Sequence, residues 1–272
     1  MAGRMSPRRS TSWPAGAPCW VDVTTPDIDA AQAFYAGLLG WTFGEGSPEY
    51  GGYCMAQVAG GNAAGMAPAM EGQPPAWTLY FASPDAAASA TAITDNGGSL
   101  LSPVMQIGPG GVVGTMVVAA DPTGAAFGIW QSGEHTGVDV FNEPGGLFWE
   151  DLRSTDADAS RAFYGTVLGL EFRPVPMAGP DYSTFHHVGD EAPLGGIGGM
   201  MGMTGFPPHW IVYFGVSDVD ASVGYVEAHG GHVVGPGFDT PFGRMAAVTD
   251  PFGASFWIMA ADGDRAEPDR TG

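Results

Sequence analysis

Along this chain, stretches in which apolar and polar positions alternate give way to stretches in which apolar positions recur every three or four residues. The segment CWVDVTT (19–25) alternates and is β-prone, which predicts a strand. Behind it, Ala31, Tyr35 and Leu38 fall on one face of a helix that Gly40 ends. Thr25 is placed to cap that helix, with Pro26 in the first turn and Asp27 and Asp29 complementing its dipole. Short strands are expected around WTFGEG and GYCMAQVAG, followed by a methionine-bearing turn at 65–70. The order then restarts with strand WTLYFA, helix DAAASATAITDNGG and strands ending in AAFGIWQ. The pattern is βαβββ, twice.

The whole pattern then repeats. AFYAGLLGWTF (33–43) returns as AFYGTVLGLEF (162–172) with six of eleven positions identical. TTPDIDAAQAFYAGLLGW (24–41) matches RSTDADASRAFYGTVLGL (153–170) at the same offset of 129. WTLYFASPDAAAS (77–89) matches WIVYFGVSDVDAS (210–222) at 133, and DPTGAAFGIW (121–130) matches DPFGASFWIM (250–259) at 129. Insertions confined to loops are what a duplicated fold tolerates. The chain therefore divides into a mobile N-terminal tail (1–13), one domain at 14–131, a linker at 132–143, a second domain at 144–261 and a C-terminal tail (262–272). The fold class is α+β: two tandem domains, each a pair of βαβββ units.

Composition narrows the function. The 272 residues hold 29 acidic side chains against 9 basic ones, all arginine, for a formal net charge of −20. Such a field repels phosphate backbones and argues against nucleic acid as a partner. It keeps the protein soluble and would favour a cationic small molecule. The two cysteines, Cys19 and Cys54, form neither a disulfide framework nor a zinc-site spacing. No membrane span or secretory leader is read, so the expected location is cytoplasmic.

The order strand, D-x-D-A-x-x-A-F-Y-x-x-x-L-G, strands, closed by D-P-x-G-A-x-F, resembles the vicinal oxygen chelate superfamily. That superfamily includes glyoxalase I, extradiol dioxygenases, fosfomycin-resistance enzymes and bleomycin-binding proteins. The resemblance covers roughly residues 17–131 and 146–260 and implies a cup-shaped mixed sheet in each copy, with helices outside. On it, Phe34, Tyr35 and Leu38 are core. It also implies a pair of domains joined like the dimers of single-copy relatives, hence a monomer. Enzymes of this superfamily usually hold a divalent metal through His, Glu or Gln on three strands facing the cup. The corresponding positions here are Trp20, Thr78 and Gly128 in the first copy and Trp149, Ile211 and Trp257 in the second. None can coordinate a metal. No metal and no cofactor is therefore expected. The one alternative set is His186 or His187, from FHHV, with Asp151.

By the two-residue strand period, Trp20, Asp22 and Thr24 share the cup face, as do Trp149, Asp151 and Arg153. Matching parity adds Tyr80 and Trp130 to the first cup and Tyr213, Trp257 and Met259 to the second. The small residues Gly128 and Thr78 leave room in the first. His187 is placed as a second-cup residue, and GGIGGMMGM (195–203) is read as a flexible turn whose Met200 and Met203 adapt to an apolar ligand. An aromatic box with one acid suits a flat aromatic or amphiphilic ligand, especially one carrying an amine. The opposing reading is that the tryptophans simply fill the cups.

Three functions follow. The first is a metal-free binder of an aromatic, antibiotic-like metabolite, sequestering it or assisting a biosynthetic enzyme as partner. The second is a cofactor-free isomerase, cyclase or lyase with Asp22 or Asp151 as general base. The third is a metal enzyme of glyoxalase or dioxygenase type with rearranged ligands.

Overall fold

A computed structural model describes residues 11–202 and 205–260. In the first copy the elements are β1 (Pro18–Thr25), α1 (Ile28–Leu39), β2 (Thr42–Phe43), β3 (Cys54–Val58), β4 (Gly61–Pro68), β5 (Ala76–Ala82), α2 (Ala86–Asp95), β6 (Ser99–Leu100), β7 (Met105–Ile107), β8 (Gly114–Ala120) and β9 (Ala126–Ser132). The second copy repeats them as β10 (Leu147–Ser154), α3 (Ala157–Leu168), β11 (Leu170–Pro174), β12 (Ser183–His187), β13 (Gly195–Gly199), β14 (His209–Val216), α4 (Val219–Ala228), β15 (His232–Val233), β16 (Phe238–Thr240), β17 (Gly243–Thr249) and β18 (Ser255–Ala260).

Each copy builds its own mixed sheet. The order is β2-β3-β4-β1-β5-β9-β8-β6 in one and β11-β12-β13-β10-β14-β18-β17-β15 in the other, with β7 and β16 pairing on β8 and β17. The two βαβββ units of a copy meet where β1 runs antiparallel to β5, and β10 to β14. Among the described residues no strand is exchanged between these two sheets.

Among the described residues the α-helices α1 to α4 each begin on an aspartate whose side chain accepts from the amide three residues on: Asp27, Asp85, Asp156 and Asp218. The cap of α1 is thus Asp27 rather than Thr25, because the chain turns helical only after Pro26; Thr25 Oγ1 instead accepts from the Asp27 amide at 3.5 Å. The expected turn at 65–70 is largely strand, since β4 runs parallel to β1 as far as Pro68. The glycine-rich segment at 195–199 is likewise a strand, parallel to β10, where small residues permit a close approach.

The faces away from the cups share one core. Val21, Val23, Phe34, Tyr35, Leu79, Phe81, Phe127 and Ile129 pack in a single cluster with Leu152, Phe163, Tyr164, Trp210, Phe214 and Phe256. Helix α1 lies against α4, and α2 against α3. Phe34 and Tyr35 are buried as expected, while Leu38 is partly buried against the same cluster.

The inner faces form two separate clusters. Trp20, Tyr80 and Trp130 pack with Trp13 and Val138 in the first. Phe148, Ile211, Tyr213, Met245 and Met259 make the second, with Trp149 and Trp257 against it. Trp13 therefore does not belong to a tail: its indole is 3% exposed and meets Phe141 edge-on at 5.4 Å. The remainder of the expected N-terminal tail up to residue 10, and the C-terminal tail, lie outside the described residues.

Candidate functional site

Both cups are organised around the aspartate of the W-x-D strand. In the first, Trp20 Nε1 donates to the Tyr53 hydroxyl at 2.8 Å, and that hydroxyl donates to Asp22 Oδ2 at 3.4 Å. Tyr80 also hydrogen-bonds Asp22. In the second, Asp151 Oδ1 accepts from Tyr182 at 2.7 Å and from Trp149 Nε1 at 3.0 Å. Its Oδ2 accepts from Tyr213 and from Arg153 Nη2, both at 2.9 Å. Each cup thus holds the same tetrad of Trp, Asp and two Tyr.

Tyr53 and Tyr182 were not singled out from the sequence. The signal existed, because they are related by the same offset of 129 that relates the two tryptophans and the two aspartates. Glycine explains how they reach the acid. A Cβ on Gly65 would collide with the Tyr53 hydroxyl, and one on Gly196 with the Tyr182 hydroxyl and Asp151 Oδ1.

The cups differ in charge. Where the second has Arg153, the first has Thr24, so Asp22 has no cation beside it. Burial pushes its carboxyl up to about 7, although the hydrogen bonds from Tyr80 and Tyr53 oppose the shift. Asp151 has an ion pair at 2.9 Å with Arg153, both side chains being at least nine-tenths buried. With four donors on its two oxygens, Asp151 is saturated. It positions tyrosines and an arginine, and it has no lone pair pointing at a free base's target or at an ammonium ligand.

The cups also differ in access. The linker does more than connect: His135 sits edge-on to Trp20 at 4.3 Å and to Trp130 at 5.3 Å, and its carbonyl accepts from Trp130 Nε1 at 2.9 Å. Burial lowers its imidazole to about 4. Val138, Asp139 and Val140 are buried behind it. The room expected at Gly128 is taken by the ring of Tyr80, which a Cβ there would strike. The aromatic residues Trp20, Tyr80 and Trp130 fill the first cup, as the filling interpretation holds. In the second cup Trp149 and Trp257 remain partly exposed, with Trp257 against Tyr213 and Phe238. Beside this tetrad lies a cleft of about 370 Å³, lined by Arg153, Tyr182, Gly198, Gly199 and Met200 among others. Another, of about 380 Å³, lies between α1 and α4 at the junction of the copies, remote from both tetrads.

His187 corrects the sequence reading. Phe185 is on the face of β12 that enters the shared core, and His187 has the same parity. Its Nε2 is 3.1 Å from the carbonyl of Ala15 in the other copy's N-terminal segment. The cup-face histidine is His186, which pairs with Thr184 Oγ1 at 2.8 Å. Met200 lines the cleft as expected; Met203 lies outside the described residues.

The metal implied by the family does not fit these residues. Strand pairing sets Trp20 beside Tyr80 and Tyr80 beside Gly128, and equally Trp149, Tyr213 and Trp257. Thr78 and Ile211 sit two residue pairs further along, opposite Asp22 and Asp151. The phenols are pushed to higher pKa by burial and the aspartate beside them, which disfavours phenolate ligation. The alternative set of His186 or His187 with Asp151 is not assembled either: His187 faces away, His186 Nε2 pairs with Thr184, and Asp151 already accepts four hydrogen bonds. Among the described residues no three His, Cys, Asp or Glu side chains are grouped to hold an ion. No described helix is long and apolar enough to cross a membrane.

Residues 146–258 match the Glyoxalase/Bleomycin resistance protein/Dioxygenase superfamily. Over 93% of the chain and 97% of the relative, the sequence is 38% identical to CFP32 of Mycobacterium tuberculosis, named as a candidate glyoxylase. It is 36% identical to the anthracycline biosynthesis protein DnrV of Streptomyces peucetius, over 92% of this chain and 94% of that one. Among solved structures it resembles the Mn(II)-bound glyoxalase of Novosphingobium aromaticivorans, with TM-score 0.63, 16% identity, and 91% and 82% of the two chains covered. It also resembles the 2,3-dioxygenase LapB of Pseudomonas sp. KL28, with TM-score 0.62, 14% identity, and 95% and 96% covered. These likenesses to solved structures concern fold alone. The chain belongs to the glyoxalase/bleomycin resistance protein/dioxygenase superfamily, as a tandem member.

Proposed function

We propose that this protein is a metal-independent binder of an aromatic, polyketide-like metabolite, acting as an accessory to its biosynthesis or as a resistance protein. The observation that carries this reading is that Trp149, Ile211 and Trp257 stand at the family's metal-ligand positions, with Tyr213 paired between the two tryptophans, while Arg153 and Tyr182 of the same cluster line a cleft of about 370 Å³. Partly exposed indoles offer stacking area, and polar groups that fix orientation are few, as in small-molecule sites generally. The relationship to DnrV supports the anthracycline class of ligand. In this reading the first cup, filled by Trp20, Trp130 and His135, is a structural partner.

Tryptophan-fluorescence titration of chelator-treated protein with a soluble anthracycline tests it. Saturable quenching that falls at least tenfold in affinity in Trp149→Leu is the expected result; quenching that persists unchanged in that variant removes the second cup as the site.

One observation favours a second reading, an isomerase or lyase that moves a proton. Asp22, raised to about 7 in an aromatic enclosure, has the proton affinity of a general base working near neutrality, and a substrate reaches it only if His135 and the packing on Trp20 and Trp130 move aside. In an enzyme of that kind Asp22→Asn keeps ligand affinity and abolishes turnover, whereas a binder shows no turnover to lose.

A further inference from the structure

Arg153 distinguishes the two cups. Its guanidinium is nine-tenths buried, and Nη2 is spent on Asp151. Its Nη1 is buried with no hydrogen-bond partner. That nitrogen lies beside Gly198: a Cβ built there would lie 3.2 Å from Nη1 and 3.0 Å from the Tyr182 ring. Arg153, Gly198 and Tyr182 all line the 370 Å³ cleft. A buried N–H that lacks an acceptor is costly, and a ligand oxygen delivered through the cleft would satisfy it.

Charge selects which oxygen. Asp151 already balances the guanidinium, and Asp181 adds a second carboxylate to the cleft lining. Counting the exposed Asp181, the site therefore carries a net negative balance beside the two unpaired N–H groups of Nη1, which disfavours a carboxylate ligand. An ammonium gains nothing at Asp151, whose oxygens are saturated. What remains is a neutral acceptor. Resting on the reading of the second cup as a binding site, we propose that Arg153 Nη1 recognises the carbonyl oxygen of an uncharged aromatic ketone or quinone, with Gly198 keeping the approach open.

The test is calorimetric titration of the full chain with four probes on one skeleton: 9-fluorenone, fluorene, fluorene-9-carboxylate and 9-aminofluorene. The ketone is expected to bind roughly tenfold or more tighter than the hydrocarbon, and tighter than either charged probe. Arg153→Lys keeps a cation beside Asp151 but loses the fork, and should bring ketone and hydrocarbon within about threefold of each other. Should that variant fail to fold, Gly198→Ala, which covers Nη1, is expected to erase the same preference. Equal affinity of the native protein for ketone and hydrocarbon overturns carbonyl recognition while the binding reading stands. A ketone preference that survives both variants overturns the assignment to Arg153, and tighter binding of the carboxylate or the amine overturns the neutral class. No saturable binding of any probe overturns both the proposal and the reading beneath it.

Discussion

The Tyr35 hydroxyl, in the first copy, donates to Asp250 Oδ2, in the second, at 3.2 Å. The mirror contact joins Tyr164 of the second copy to Asp121 of the first. Trp77 Nε1 donates to the Tyr35 hydroxyl at 3.2 Å, and Trp210 Nε1 to that of Tyr164 at 2.9 Å. The tyrosine of A-F-Y and the aspartate of D-P-x-G are thus two halves of one lock, each copy supplying the other's partner. The repeat that reveals the duplication is also what holds it together.

Tyr35→Phe strands the partly buried Trp77 indole N–H and removes one of the donors to Asp250. The expected loss is roughly 1–3 kcal/mol, read by urea unfolding. Because the core is continuous across the copies, unfolding should stay a single transition with coincident fluorescence and far-UV signals. Two separate transitions would contradict a shared core.

Asp22→Asn should stabilise the protein at alkaline pH. The native carboxyl, near 7, lies above its unfolded value of 3.8, so between those values the folded chain holds more protons than the unfolded one. The stability contributed by protonated Asp22 is present below pH 4 and is lost as the pH rises through 7. The variant should gain on the native protein by up to about 4 kcal/mol between pH 4 and 8, from parallel denaturant titrations.

The same change at the equivalent position should have the opposite sign. Asp151→Asn leaves the Arg153 guanidinium buried without its counter-charge, an expected loss of roughly 3–5 kcal/mol at pH 7. Adding Arg153→Met should recover much of it, because no charge is then left unpaired.

Protonation of His135 should open the first cup. Its imidazole, held near 4 by burial, contributes stability that is complete above pH 6.5 and is lost as the pH falls toward 4. Since its ring contacts Trp20 and Trp130, tryptophan emission should change with a midpoint near 4, and that step should vanish in His135→Phe.

Much of the site was legible before the structure. Strand parity alone placed Trp149, Asp151 and Arg153 on one face, because a period of two admits no other arrangement once one member is oriented. Parity did not choose between His186 and His187, since that choice depends on Phe185 entering a core that the other copy completes. The filling of the first cup by His135 was equally hidden: a linker's path is set by tertiary packing, and nothing in SGEHTGVDVFNE has a strand or helix period. The saturation of Asp151 required Tyr182, 31 positions along the chain and on a different strand. The unpaired Nη1 of Arg153 follows from that saturation, so neither was open to a reading of local pattern.

Metal-free binding of an aromatic ligand in the second cup is the function proposed for this protein. Calorimetric titration of the chelator-treated protein with a soluble anthracycline, repeated after adding Mn²⁺, Fe²⁺, Ni²⁺ or Zn²⁺, tests it most directly. The expected result is one-to-one binding with an affinity unchanged by any of the four ions and reduced at least tenfold by Trp149→Leu. Binding or turnover that occurs only after a stoichiometric ion is restored would contradict it.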